Sequence, residues 1–526
     1  RSRNVSPSDR MKGGSGRPML TGELLARTTA QFPDRTAIIA GEQRIDYRAL
    51  DRAANRFAHA LIRQGLKPGD RVGILCGNRL EYPVAYFGIA RAGGVSAHMS
   101  PRYVEDEIAH ALALVEARYV MVEAPLDVTV ADIRDQTPCL TDIIVVGDGS
   151  IPNHIDFEKF IEGMPEFDPE LPLDASDPGS ITFTGGTTGL PKAALLTHVA
   201  RSYWAKVAVH DFGLDENDIN IMAAPLYHAA GGFVWFQPTV AAGGASVLMK
   251  HWKVSEFIAE VERTGATGAF LVPTQIDMLL GEPAFEPSRL RSLRKLIFGA
   301  APAPVALLSR AEQSLPWVEF IQNFGMTETG PLITQYPTDR RLNPEGLGRA
   351  RDLIEVGVFT SPGVPAGPGE VGEIAARGIH LMSEYVAEKN ETAAFFRSGE
   401  GWGWTGDLAT IEANGQITLV GRVKDVIIAG GINIYPAEIE RVLAAHPHVA
   451  ECAAFGVVDE RWGELPIAAV VTTEGVDIDA NEIAEFCVVR LARHKLPRRI
   501  EVVNALPRSS SGKVLRTVLA EQFSKP

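Results

Sequence analysis

The chain has 526 residues, 45% of them hydrophobic and 22% charged, with a formal net charge of −14 at pH 7. That length exceeds one ordinary hydrophobic core and implies two or more domains. The negative balance argues against a nucleic-acid binder that works by bulk charge, and the absence of any run of about 18 uncharged apolar residues argues against a transmembrane helix.

Residues 1–19 are polar, basic and rich in Gly and Ser, and read as a flexible leader. From Leu20 to Leu66 the pattern predicts helix, hairpin, helix. Thr36–Ile39 and Gln43–Ile45 flank the turn residue Gly41, and Tyr47 to Gln64 carries apolar residues at helical spacing. A short buried strand is expected at Arg71–Leu75, then a helix over Pro83–Ala92 stopped by Gly93-Gly94. The same alternation returns at Tyr119–Val122, Asp142–Val146, Gly268–Val272 and Lys295–Phe298. Strands that alternate with helices imply mostly parallel sheets with helices on their faces. Between Ser361 and Gly372 the Gly and Pro density predicts hairpins, and Ile417–Val420 reads as a final strand of the large unit. After Gly421 a compact β/α pattern begins, enough for a small domain. The expected division is a leader (1–19), a large domain (20–421) and a small one (422–526). Cys76, Cys139, Cys452 and Cys487 lie far apart with no CxxC, so neither a zinc site nor a disulfide framework is expected, and a cytoplasmic setting fits best.

The strongest chemical signal is Thr184-Gly185-Gly186-Thr187-Thr188-Gly189-Leu190-Pro191-Lys192, directly after the β-like run Ser180–Phe183. Its glycines allow backbone N–H groups to turn inward, its threonines add hydroxyl donors and Lys192 adds a cation, which suits a polyphosphate. It lacks the Gly-Lys-Ser/Thr ending of a Walker A loop. Alone it could also be a Gly/Thr surface loop.

The loop resembles the phosphate-binding signature of the adenylate-forming superfamily, which includes acyl-CoA synthetases, nonribosomal-peptide adenylation domains and luciferases. Further segments similar to that family's motifs follow in its order. They are Pro225-Leu226-Tyr227-His228, Gly299-Ala300-Ala301-Pro302, Phe324-Gly325-Met326-Thr327-Glu328, Trp404-Thr405-Gly406-Asp407, Gly421-Arg422-Val423-Lys424-Asp425, Gly430-Gly431 with the helix after it, and Pro507 to Lys513. The resemblance implies an α/β fold. A large N-terminal domain of stacked α/β subdomains with a small β-barrel-like part would precede a small mobile C-terminal α+β domain. It implies an ATP-dependent carboxylic acid:CoA ligase of the acyl-CoA synthetase branch, with ATP, Mg2+ and coenzyme A taken up and an acyl-adenylate formed on the way.

The resemblance also implies roles. Lys513 would be the cation beside the carboxylate and α-phosphate. Glu328 would be the Mg2+ ligand, a hard cation preferring carboxylate oxygen, and Thr327 would bond the α-phosphate. Asn323, Phe324, Gly325 and Met326 would run along the nucleotide, with Phe324 stacked on adenine and Gly299 to Pro302 on its other side. Asp407 would accept the ribose hydroxyls, with Arg422 in support. His228 would gate or orient, or act as a general base for the thiol. Lys424 would be the hinge, and Gly430 and Gly431 would let a thin pantetheine chain pass close to backbone. The acyl pocket would involve Tyr227, His228, Gly232, Phe233, Met326 and Gly330. Gly231 and Gly232 would leave room there, with Phe233, Trp235 and Phe236 as apolar walls.

The chain departs from the pattern at Gly185, often a serine, at Phe324, usually a tyrosine, and at Ile432, where many relatives have Glu or Phe. No cation appears in the pocket stretches to pair with a second carboxylate, so an apolar fatty or aromatic monocarboxylic acid is the expected substrate. A stand-alone enzyme that loads an acyl carrier protein, a luciferase-like oxygenase and an inactive acyl-adenylate or fatty-acid binder are the competing readings. No integral membrane association is expected, and the sequence does not fix an oligomeric state.

Overall fold

The computed structural model describes residues 18–149, 151–185, 190–473, 479–508 and 514–524. They form two compact units. The first runs to Val356 and takes in Ala376–Gly403, and the second comprises Gly357–Ala375 and Trp404 onward.

Two twisted sheets build the first unit. In the nine-stranded sheet the strands Glu319–Met326, Lys295–Gly299, Gly268–Leu271, Ile219–Met222, Ala245–Leu248 and Thr36–Ala40 lie side by side and parallel. Gly330–Gln335 and Arg349–Ala350 extend it antiparallel at one end, and Gln43–Asp46 does so at the other. The eight-stranded sheet places Pro178–Gly185, Val95–Met99, Arg71–Leu75, Tyr119–Glu123, Asp142–Val146 and Ile155–Asp156 in parallel. Pro191–Thr197 and Glu384–Tyr385 finish it antiparallel. Central strands such as Val95–Met99 and Gly268–Leu271 are buried along their whole length. Covered on both faces, Gly268–Leu271 reads as an apolar run, whereas Val95–Met99 buries the polar Ser96 and His98 in alternation with its apolar residues. The predicted hairpin at Gly41 and the helix from Tyr47 are present, the latter ending at Arg63 with Asp46 as its N-cap, accepting from the Ala49 N–H at 2.7 Å.

A five-stranded sheet in the order Val364–Pro365, Glu355–Ser361, Val371–Arg377, Trp402–Ile411, Ile417–Arg422 lies mainly in the second unit, whereas a small β-barrel-like part was expected in the large domain. The second unit also holds an α+β part, where the long hairpin Val449–Asp459 with Gly463–Thr472 receives Arg499–Val502 in parallel and packs on the helix Pro436–Ala444. The strand at Ile417–Arg422, expected to close the large unit, lies here. It is zipped to Trp402–Ile411 from Ile411↔Ile417 to Asp407↔Arg422. Ladder pairing decides compactness, and one strand's apolar pattern does not reveal its partner.

Candidate active site

In an open parallel sheet the loops after the carboxyl ends of the strands gather at one edge, where ligands bind. Three of the predicted segments are such loops of the nine-stranded sheet. Ala223 to His228 follows Ile219–Met222, Ala300 to Pro304 follows Lys295–Gly299, and Thr327-Glu328 follows Glu319–Met326. The strand Pro178–Gly185, with which the predicted Gly/Thr segment begins, ends at the equivalent edge of the eight-stranded sheet.

One side chain ties the two edges together. Asn78, just past the strand Arg71–Leu75, donates from Nδ2 to the carbonyls of Met222 (2.9 Å) and Ala224 (3.1 Å). Its Oδ1 accepts from the Leu226 N–H at 2.8 Å. Asn78 is buried, and a buried amide with its bonds satisfied gives a rigid joint.

Beyond this joint the chain enters an eight-residue π-helical stretch, Ala229–Phe236, a form concentrated at functional sites. A Cβ on Gly231 would come within 2.2 Å of the Pro225 carbonyl oxygen, and one on Gly232 within 2.1 Å of that of Leu226. In the Cβ direction these glycines therefore face backbone and leave no room for substrate. Phe233, Trp235 and Phe236 are buried, and Trp235 donates to the Ile221 carbonyl. Phe233 packs on His98 and Tyr86, and its ring centre lies 3.6 Å from the guanidinium of Arg201. Tyr227 is half-buried and His228 exposed.

Arg201 changes the charge expected around the pocket. It is fully buried, donates to the hydroxyls of Ser180 (2.6 Å) and Thr182 (2.5 Å), and lies over Trp204 on its other side. Its Nη1 has no partner among the described residues, and desolvation lowers its pKa to about 10. A cation thus stands behind Phe233, although none appears in the pocket stretches of sequence.

The turn that carries Glu328 is closed by the Thr329 N–H on the Met326 carbonyl (3.1 Å). Thr327 is half-buried and Glu328 is 4% exposed. The Glu328 Oε1 accepts from the Tyr385 hydroxyl at 2.5 Å, and its carbonyl accepts from the Met382 N–H at 2.8 Å. Lys192, on the hairpin strand paired with Tyr385's strand, forms an ion pair with Glu391 at 2.8 Å, its Nζ 5.8 Å from the Tyr385 ring centre. Tyr385 therefore stands between the buried carboxylate and the cation of the polyphosphate hairpin.

Close approach explains several glycines of the motifs. A Cβ on Gly299 would meet the Asn323 carbonyl oxygen at 2.2 Å, and one on Gly325 that of Gly330 at 2.0 Å. Gly330 has φ +69°, and a Cβ there would meet the Trp204 indole at 2.3 Å. Asn323 is buried and Phe324 half-buried, Gly325 is exposed, and Met326 is half-buried. Ala300, at φ +64°, and Ala301 are exposed, and Pro302 continues the exposed loop. Thr184 is half-buried and Gly185 exposed at the strand end, while Gly186, Thr187, Thr188 and Gly189 lie outside the described residues.

In the second unit Asp407 is buried and accepts from Arg422 Nε at 2.8 Å across the ladder. Lys424 is exposed in the 3-10 turn Val423–Asp425. Arg516 binds the neighbouring Asp425 (3.3 Å) and Glu440 (2.7 Å). Lys513 lies outside the described residues, and Arg508 forms a bridge with Val514. Gly430, at φ +59°, donates its N–H to the Trp462 carbonyl at 2.7 Å and would press a Cβ on that ring at 2.8 Å, whereas Gly431 faces open space.

A cleft of about 590 Å³ lined by Arg56, Arg79, Glu81, Glu158 and Lys250 shares Asn78 with the site and contains none of the predicted site residues. Among the described residues no three His, Cys, Asp or Glu side chains cluster as a metal cage, and no helix is long and apolar enough to cross a membrane. The sequence reading missed Asn78, Arg201, Tyr385 and Glu391. Only Arg201 left a trace, as an arginine in line with Trp204, Ala205 and Ala208 on the buried face of the helix His198–Phe212.

Parallel-strand edges that bring Lys192 and a buried carboxylate together through one tyrosine give an α/β protein whose loop edge suits an anionic ligand. Comparison with known proteins agrees. The family of AMP-binding enzymes matches residues 25–386, and the AMP-binding enzyme C-terminal domain matches residues 438–513. A feruloyl-CoA synthase of Amycolatopsis sp is 33% identical over 507 residues, 95% of this chain and 99% of that protein. The fatty acid–[acyl-carrier-protein] ligase ScoC of Streptomyces coeruleorubidus is 33% identical over 519 residues, covering 95% and 96%. The ATP-bound crystal structure of MatB from Rhodopseudomonas palustris superposes with a TM-score of 0.88 at 28% identity, covering 96% of this chain and 99% of that one. The chain belongs to the AMP-binding enzyme family, and it is an AMP-forming acid–thiol ligase of that family.

Proposed function

We propose that the protein is an ATP-dependent carboxylic acid:CoA ligase that works in two steps. The acid and ATP give acyl-AMP and pyrophosphate, and CoA then takes the acyl group and releases AMP. The observation that carries this reading is the set Lys192, Tyr385 and buried Glu328, which offers a cation and a hard-metal ligand at the mouth of the polyphosphate loop. Attack of a carboxylate on the α-phosphate brings two anions together, so catalysis rests on positioning and positive charge. Lys513 supplies the cation at the reacting oxygens, and Thr327 holds the α-phosphate. A single buried carboxylate fits an Mg2+ ion carried mainly by phosphate oxygens and water, and such an ion neutralises phosphate charge when bound. Asp407 and Arg422 hold the ribose. Their present ion pair keeps the carboxylate aligned until the sugar hydroxyls compete for it.

Lys424 is the hinge about which residues 422–526 reorient between the half-reactions, and Gly430 and Gly431 then border the pantetheine arm. His228, exposed beside half-buried Tyr227, gates the acyl end. Tyr227, His228 and Met326 form the pocket surface, while Gly232, Phe233 and Gly330 support it from behind. An apolar fatty or aromatic monocarboxylic acid fits that surface, and the free thiols fit a cytoplasmic setting.

A carrier protein as the acceptor is the second reading, favoured by the equal identity to ScoC. Acid-dependent release of AMP and pyrophosphate, measured with and without CoA across fatty and aromatic acids, tests both. Acyl-CoA appearing with AMP supports the ligase. Adenylation indifferent to CoA supports carrier loading, and no turnover with any acid rejects both.

A further inference from the structure

The short segment Glu384–Phe395 touches both charged groups of the proposed ATP site. Its strand Glu384–Tyr385 pairs with Pro191–Thr197, setting Tyr385 opposite Ala194 and therefore two residues from Lys192. From there the Tyr385 hydroxyl reaches Glu328 at 2.5 Å. One turn later, in the helix Lys389–Phe395, Glu391 takes Lys192 at 2.8 Å. Strand and helix are fastened to each other, since the Tyr385 N–H donates to Thr392 Oγ1 at 2.9 Å and the Tyr385 carbonyl accepts from the Glu388 N–H at 3.1 Å.

We propose that Tyr385 and Glu391 are positioning residues of the ATP site, Tyr385 fixing the carboxylate of Glu328 and Glu391 fixing the ammonium of Lys192, so that metal ligand and phosphate cation stand at one set spacing before ATP arrives. The inference rests on the ATP-dependent reading above. A carboxylate only 4% exposed has lost most of its water, and the phenol both replaces a water and selects the orientation of one oxygen. Lys192 has a flexible four-carbon stem, and without Glu391 the incoming triphosphate would have to order it. Glu391 is 45% exposed, so its hold is a mild one that phosphate oxygens can share. Neither residue needs to touch a reacting atom. Each acts through the group it holds, and the common segment makes the two placements interdependent.

The test is ATP binding measured by calorimetry on the full chain, with Mg2+ and with EDTA in its place, alongside the melting temperature. Tyr385→Phe is expected to weaken binding about tenfold with Mg2+ and less than about twofold with EDTA, because only the metal ligand has lost its guide. Glu391→Ala is expected to weaken binding about fivefold in both conditions, with Glu391→Gln intermediate. Binding equally weakened with and without Mg2+ in Tyr385→Phe, or unchanged in both Tyr385→Phe and Glu391→Ala, overturns the inference while leaving the ligase reading intact. Failure of the unaltered protein to bind ATP at all removes the ligase reading and this inference with it.

Discussion

The two units hold their functional residues in opposite ways. In the first, the important groups are buried and fixed by partners far away in sequence: Asn78 with Met222, Glu328 with Tyr385, Gly330 against Trp204. In the second, Lys424, Gly430 and Gly431 sit exposed on a short turn and a hairpin at the surface, with Gly430 bonded to the carbonyl of the half-exposed Trp462 at a strand end. A pre-organised binding face needs long-range packing, whereas a part that has to change its contacts is drawn from segments with few of them.

The contrast can be broken most sharply at the charge that lies outside both descriptions. Lys513→Ala is expected to slow acyl-adenylate formation by about a thousandfold. Thioesterification of supplied acyl-adenylate should be largely intact, and single-turnover assays of each half-reaction would show whether the loss is confined to one of them. Next comes Gly330→Ala. Positive φ and a buried indole 2.3 Å from the added carbon leave no place for a methyl group, so a loss of about 3 kcal/mol, or no soluble protein, is expected in denaturant melts.

Acid should also strike the first unit. Burial lowers the pKa of His198 and of His380 to about 4, so each stays neutral when folded but takes a proton near pH 6.5 when unfolded. Stability is therefore fully present above pH 6.5 and falls as the pH drops from there toward 4, because the unfolded chain binds the protons first. The change between pH 7 and pH 5 is expected to be about 2 kcal/mol per histidine, read as a shift of the denaturant midpoint. His380→Gln should flatten that dependence by about half, and an unaltered slope would refute its part in it.

The smallest effect is expected at Gly430→Ala. Its φ of +59° and the Trp462 ring both oppose a methyl group, but Trp462 is 44% exposed and has room to swing aside. A stability loss of about 1 kcal/mol should accompany a selective fall in the thioesterification step. A loss as large as that of Gly330→Ala would erase the distinction between the two regions.

The same contrast explains what could be read from the sequence. Period and turn residues are local, so the hairpin at Gly41, the helix from Tyr47 and the parallel strands were legible. So were the loops that carry His228, Ala300 and Glu328, because the motif residues adjoin each other in the chain. The partners of those loops were not legible. Tyr385 is 57 residues from Glu328, and Asn78 is 148 from Leu226. No local pattern marks a side chain whose work is done at such a distance. The packing of the stretch after His228 was hidden for a related reason. Gly231, Gly232 and Phe233 suggested an open apolar wall, but the π-helical turn folds those glycines onto backbone and turns Phe233 toward Arg201, which belongs to another helix.

The Asn78 joint carries a consequence for time. Its three bonds hold Met222, Ala224 and Leu226 directly before His228, so this stretch of backbone cannot swing as a lid. Motion at the proposed acyl gate is left to the imidazole itself, an exposed side chain. Rotamer changes of such side chains take on the order of nanoseconds, whereas loops and domains that open and close do so in microseconds to milliseconds. A gate of that kind opens many times within a single turnover and never sets its pace.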